Sequence, residues 1–202
     1  QVLHCPYTAD KARIVVQEMI DGISLELVEK RLVTDQLVLT GGYDIENLTR
    51  PEIRKVYKGP VTTDRYGRRV PKHAHGTWNL PRATSSSSEL LEAMAALYDK
   101  IVNPALLIRR MSLSACHVVN EKMAKEREQK ETFEQLDLFT DYAKKEAKEK
   151  EEQKKRERER RMQEALLTIK KKYGKNAVLR GMNFEEGATA KERNGQIGGH
   201  QA

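Results

Sequence analysis

The sequence predicts an α+β fold: a four-stranded sheet with two helices on one face, in the order β-α-β-β-α-β, followed by a charged helical arm and an irregular tail. Two apolar stripes at three- and four-residue spacing, each flanked by β-rich runs of alternating character, predict the domain. Charge marks where it ends. Residues 1–120 carry 16 basic and 13 acidic side chains, whereas residues 121–172 carry 17 and 14 in 52 positions. A stretch that is more than half ionised cannot bury enough apolar surface to offset its conformational entropy as a globule. Past it, Gly174, Gly181, Gly187, Gly195, Gly198 and Gly199 interrupt any long helix. The expected division is a folded domain over 1–120, a linker over 121–140, a helical arm over 141–173 and a Gly-rich tail over 174–202.

The elements follow in order. Val2-Leu3 begins a first strand, and a chain that opens inside a strand at Gln1 predicts a piece of something longer. Val15, Val16, Met19, Ile20, Ile23, Leu27 and Val28 recur at helical spacing after Thr8 and Asp10, as an amphipathic helix requires. Thr34 to Thr40 is β-rich and closed by Gly41-Gly42, which predicts the second strand. His73 to Leu80 predicts the third. The second helix starts at Ser86-x-x-Glu89, a capping box in which each side chain can satisfy the other's free backbone N–H, and Leu90, Met94, Leu97, Tyr98 and Ile101 form its buried stripe. Leu106 to Val119, after Asn103-Pro104, is the last strand.

Right-handed crossovers put both helices on one face of such a sheet and leave the other open. Alternation then says what the open face carries, because the apolar set must meet the helices. Met111, Leu113 and Ala115 point inward, which leaves Arg110, Ser112 and Ser114 outside. Ala74, Gly76, Trp78 and Leu80 point inward, leaving His75, Thr77 and Asn79; Leu37 and Leu39 leave Gln36, Val38 and Thr40. The predicted open face is polar and cationic, with almost no acid.

Positive charge is densest at residues 50–73, where Arg50, Arg54, Lys55, Lys58, Arg65, Arg68, Arg69 and Lys72 face only Glu52 and Asp64. A hairpin tip at Asp64-Arg65-Tyr66-Gly67 would lift Arg68 and Arg69 outward beside Tyr66 to reach phosphates; a merely solvated loop explains the same charge. Adjacent Arg109-Arg110, Arg82 and the helix start at Thr84 to Ser88 favour phosphate, since hydroxyls and free N–H groups at a helix N-terminus attract anions.

Several classes are excluded. Hydrophobic residues make up 38% of the chain and charged ones 33%, against roughly 25% charged in average domains. No apolar run approaches the roughly 18 residues of a membrane span, and no signal peptide opens the chain, so a cytoplasmic protein without a membrane partner is expected. Cys5 and Cys116 form neither a disulfide framework nor a zinc motif. His73-x-His75 lacks a carboxylate or thiol at ligand spacing, so no metal is predicted. No Ser-His-Asp set, phosphate loop or paired-carboxylate motif is legible, so no catalytic residue is predicted either. Two rivals remain open: a metal-dependent nuclease using His73, His75 and Asp64, and a basic RNA-binding protein.

Gln135-Leu136-Asp137-Leu138-Phe139 stands alone in the ionised stretch, with three large apolar side chains that need a reason to be there. Either a short helical patch docks back on the domain, or a linear motif inserts Leu and Phe into a partner's pocket with Gln at its rim. From Asp141 to Lys172, Lys and Arg alternate with Glu at helical spacing, which predicts a single solvated helix; strict heptads are absent.

These residues resemble the C-terminal region of bacterial Y-family, lesion-bypass DNA polymerases of the UmuC-like group. Lys72 to Thr77, the stretch Asn79-Leu80-x-Arg82-x-Thr84-Ser85-Ser86, and Tyr98-Asp99-x-Ile101-Val102 through Leu107-Ile108-Arg109-Arg110 look like that family's little-finger domain. Gln135 to Phe139 looks like its signal for the bacterial sliding clamp. Gly174-Lys175-Asn176-Ala177, Gly187-Ala188-Thr189, Glu192-Arg193-Asn194 and Gln196 to His200 resemble the tail of Gram-positive-type members. The resemblance implies a sheet laid in the major groove of primer-template DNA, with His75, Thr77, Arg82, Thr84, Ser85, Arg109 and Arg110, and also Arg68 and Arg69, at phosphates. It implies clamp binding through Gln135, Leu136, Asp137, Leu138 and Phe139, and a nucleoid-associated protein of DNA damage tolerance. The palm with its Mg²⁺ ions, the fingers and the thumb of that family would precede Gln1, so this chain is expected to hold no cofactor and to have no activity alone.

Overall fold

The computed structural model describes residues 1–132, 142–197 and 200–201. Strand β1 (Val2–Tyr7) leads through helix α1 (Ala9–Lys30) into strand β2 (Leu32–Tyr43). Two short helices, α2 (Glu46–Thr49) and α3 (Pro51–Val56), and a hairpin of β3 (Val61–Thr63) and β4 (Arg69–Pro71) follow. Strand β5 (Ala74–Thr84), helix α4 (Ser87–Ile101) and strand β6 (Ile108–Cys116) complete the α+β domain. After them come β7 (Val119–Asn120), α5 (Glu121–Thr132), α6 (Tyr142–Tyr173), a 3-10 turn at Gly181–Phe184, α7 (Ala190–Arg193) and a small hairpin of β8 (Gln196–Ile197) and β9 (His200–Gln201).

The main sheet runs β1-β6-β2-β5 with every neighbouring pair antiparallel. Each helical connection therefore steps over one strand: α1 links β1 to β2 across β6, and α4 links β5 to β6 across β2. Both helices cover the same face. Val15, Val16 and Ile20 of α1 join Leu90, Met94 and Leu97 of α4 and Leu37, Leu39, Ile108 and Met111 of the sheet in one buried cluster. Burying each large aliphatic side chain contributes about 1.5–3 kcal/mol, which makes this layer the main source of stability. Gly76 lets α4 approach closely, since a Cβ there would lie 2.7 Å from Ile101 Cγ2. Tyr98 of α4 donates to the Ala9 carbonyl oxygen of α1 at 2.7 Å, and burial pushes its phenol pKa up. Tyr98→Phe removes that bond while keeping the ring, and urea unfolding should register a loss of about 1 kcal/mol; an unchanged midpoint would show that the bond contributes nothing.

Three local features depart from the sequence expectation. β2 runs through Gly41-Gly42 to Tyr43 rather than stopping there, because β6 pairs with it as far as Tyr43. β5 continues through Pro81 to Thr84; Pro81 sits in an irregular stretch of register between Asn79 and Thr84 on an edge strand, where a missing N–H costs no ladder bond. At the start of α4 only half of the capping box forms. Ser86 Oγ accepts from the Glu89 N–H at 3.2 Å, but the Ser86 N–H is satisfied by Thr84 Oγ1 at 3.1 Å, and the Glu89 carboxylate is held by Arg82 instead.

The segment expected as a linker begins with a helix. β7 pairs with the start of β2 (Asn120 opposite Leu32, Val119 opposite Val33), and the Glu121 N–H donates to the Arg31 carbonyl at 3.1 Å, which pins the first turn of α5. Gln135, Leu136, Asp137, Leu138 and Phe139 lie outside the described residues. No helix among the described residues is long and apolar enough to cross a membrane.

Candidate nucleic-acid interface

Strand alternation sets the open face. Leu37 and Leu39 of β2, Ala74 of β5 and Met111 of β6 are buried beneath the helices, and the residues between them point the other way. In register, His75, Thr40 and Ser112 form one cross-strand row, and Thr77, Val38 and Ser114 the next. Asn79, Gln36 and Cys116 form a third row. Thr40 Oγ1 and His75 Nδ1 lie 2.9 Å apart, and Gln36 Nε2 donates to Asn79 Oδ1 at 2.9 Å, so neighbouring strands order each other's polar groups. None of these outward side chains is acidic, so the face presents only neutral or cationic groups.

Its cationic edge lies at the start of β6. Arg110 stands opposite Gly42 and crosses it; a Cβ at Gly42 would fall 2.7 Å from Arg110 Cγ, so glycine is what lets the guanidinium stem lie flat on the sheet. Arg109 sits at 3.8 Å from Asp44, a nearly buried carboxylate that caps the Glu46 N–H. A cleft of about 440 Å³ separates this edge from the β3–β4 hairpin; Arg109, Arg110, Arg65 and Arg68 line it together with the carboxylates Asp44, Glu46 and Asp64.

The hairpin tip has the expected turn, with Gly67 at φ 76° and its N–H donating to the Asp64 carbonyl at 3.0 Å. The Asp64 carboxylate accepts from the N–H groups of Tyr66 and Arg68 and from Arg68 Nε. The backbone N–H of Arg68, above all, holds that carboxyl below its ordinary value. Tyr66 is exposed, with the guanidinium carbons of Arg65 and Arg68 at 4.8 and 5.0 Å from its ring centre. Among the described residues neither Arg69 nor Arg110 is paired with a carboxylate. Arg65, which donates to the Tyr66 hydroxyl, has no carboxylate partner among the described residues either, so it too can meet an external anion.

The structure thus groups His75, Thr77, Arg109 and Arg110 on the sheet, with Arg68 across the cleft; Arg69 is exposed on the hairpin and does not line that cleft. Arg82, Thr84 and Ser85 lie at the far end of β5, in a different setting. Arg82 pairs with Glu89, while Thr84 and Ser85 are each only 8% exposed. What covers that end is α6. Instead of being solvated throughout, this helix lays one polar stripe, Arg156, Glu159, Arg160 and Gln163, along the start of α4. Gln163 is 2% exposed and donates to the Ser85 carbonyl and to Ser87 Oγ at 3.0 and 2.9 Å. Arg160 donates to Ser85 Oγ at 3.1 Å and to Glu121 of α5 at 3.2 Å. The Glu159 carboxylate accepts from Ser86 Oγ, the Ser88 N–H and Ser88 Oγ at 2.7, 2.8 and 2.9 Å. Spacing of three and four residues is the signal in the sequence, but it is written in charged and amide side chains, where a search for apolar stripes passes over it.

Helix α6 and the tail also reach α1. Lys171 pairs with Glu29 at 2.8 Å, and Arg180 Nη2 lies 2.8 Å from Asp21 Oδ1 as an ion pair without hydrogen-bond alignment. Burial pushes the Asp21 carboxyl up, and the Arg180 guanidinium opposes that shift. Among the described residues no three His, Cys, Asp or Glu side chains gather as a metal site. The His73 and His75 rings are 6.3 Å apart, and Asp64 is committed to its own turn. No protein-family model, curated protein or solved structure matches the chain.

Proposed function

We propose that this chain is the DNA-binding and clamp-recruiting C-terminal part of a Y-family, UmuC-like translesion polymerase, acting at the nucleoid in damage tolerance. The observation that carries this reading is the open sheet face, acid-free and hydroxyl-rich, with Arg110 laid across Gly42 at its edge. Such a surface suits a phosphate backbone. Thr40, His75, Thr77, Ser112 and Ser114 supply short donors, while Arg110, Arg69 and the hairpin cations supply charge, and no base-reading constellation accompanies them. A β-α-β-β-α-β domain with both helices behind the sheet is what the little finger of that family looks like, which supports the same reading. The two Mg²⁺ ions and their carboxylates would belong to the palm. This chain contributes hold and recruitment.

The test is equilibrium binding to a primer-template duplex across a salt series. Affinity should fall steeply with salt, because phosphate neutralisation releases counterions, and should not depend on base sequence. Arg110→Ala should weaken every duplex alike by about 10-fold and flatten the log-log salt slope by about 1. A salt-independent affinity would refute phosphate contacts, and a marked preference for single-stranded RNA would favour an RNA-binding role instead.

A further inference from the structure

We infer that α6 is a displaceable cover over the start of α4, with the Glu159 carboxylate seated where a nucleic-acid phosphate would sit. Arm docking and DNA binding at this end of the sheet then exclude each other. The inference rests on the duplex-binding reading and adds its regulation.

The anion position is built and filled. Ser86 Oγ, Ser88 Oγ and the Ser88 N–H converge on one carboxylate that arrives from a helix more than 70 residues further along the chain. The Ser88 N–H belongs to the first turn of a 15-residue helix, where backbone donors have no partner within the helix and the macrodipole favours negative charge. A phosphate oxygen asks for the same donors. In this state Glu159 holds them, and Arg160 and Gln163 close over Ser85, one of the residues expected at DNA.

The cover is also loosely made. Its stripe is polar, and of its members only Gln163 is deeply buried. A cleft of about 530 Å³ stays open between the start of α4, α5 and α6, lined by Arg82, Ser85, Glu121, Glu159 and Arg160 among others. Contacts of this kind depend on charge and little on apolar burial, so a polyanion can compete with them. The opposite end of α6 packs against α1, where Lys171 also meets Glu29, so the half bearing Glu159 can lift while the helix stays tethered.

The experiment measures duplex affinity by fluorescence anisotropy for the chain, for Glu159→Ala and for Glu151→Ala. The last removes the same charge from an exposed position of α6 that does not line the cleft at the start of α4. Glu159→Ala should bind about 5-fold tighter than Glu151→Ala. Amide exchange over residues 150–163 of the unaltered chain should speed up when duplex is added. Equal affinities for the two variants with duplex binding intact, or no change in α6 exchange on saturation with DNA, would overturn the cover and leave the sheet interface standing. Failure of all three proteins to bind duplex would instead bring down the DNA-binding reading itself.

Discussion

On the proposed reading, Leu138→Ala combined with Phe139→Ala should abolish binding to a bacterial sliding clamp, a loss of at least about 100-fold, and should leave duplex affinity unchanged. The size follows from burial. A Leu and a Phe moved from water into a pocket contribute about 1.5–3 kcal/mol each, and every 1.4 kcal/mol is tenfold in affinity. The surroundings sharpen the expectation, because residues 121–172 are more than half ionised and offer few other apolar anchors. Gln135→Ala, which removes a rim hydrogen bond, should cost less. Calorimetry at low and high salt separates the contributions: attraction from neighbouring Lys and Glu is screened, whereas apolar insertion persists. If the double variant bound as tightly as the parent chain, or if binding vanished only on charge removal, the pentapeptide would not be the recruiting segment.

Where side-chain period reports burial, the sequence was readable. Inward Leu37, Leu39 and Met111 and outward His75, Thr77 and Arg110 follow from alternation alone, and with them comes the open face. The α+β character of the domain and its two long helices follow too, whereas α2, α3, β7 and α5 do not. Boundaries were harder: Gly41-Gly42 and Pro81 read as stops, yet β2 and β5 pass through them, because cross-strand pairing and a tolerant edge override local preference. What alternation cannot see is a polar group that is buried because another polar group meets it. Gln163 of α6 and Glu18 of α1 look like solvated positions in sequence and become buried only through partners 76 and 171 residues away. The expectation that Thr84 and Ser85 stand ready for phosphate fails to foresee α6 for the same reason. Their donors and acceptors are real, and the chain already supplies the counterpart.

Glu18→Ala detaches the C-terminal tail from α1 and costs about 3 kcal/mol, the order expected when charge-assisted hydrogen bonds of about 1.5–3 kcal/mol each are lost. Glu18 is 3% exposed, and its carboxylate accepts from the N–H groups of Thr189 and Ala190 at 2.8 and 2.9 Å, from Thr189 Oγ1 at 3.2 Å and from Asn183 Nδ2 at 2.8 Å. These bonds gather the 3-10 turn and the start of α7 onto one buried anion, and Gly187 at φ 98° lets the chain pass close to Lys11 on the way. Alanine leaves those donors without an acceptor, so the tail must either keep unsatisfied polar groups buried or leave the helix, and leaving costs less. Lys11→Ala provides the contrast. It deletes only the ion pair with Glu186, whose side chains are 38% and 85% exposed, and should leave the unfolding midpoint where it is. Amide exchange at Thr189 and Ala190, together with trypsin cleavage at Lys191 and Arg193, reads the outcome directly. Fast exchange and early cleavage in Glu18→Ala alone would identify Glu18 as the anchor; unchanged protection would assign the docking of the tail to Arg180 and Asp21 instead.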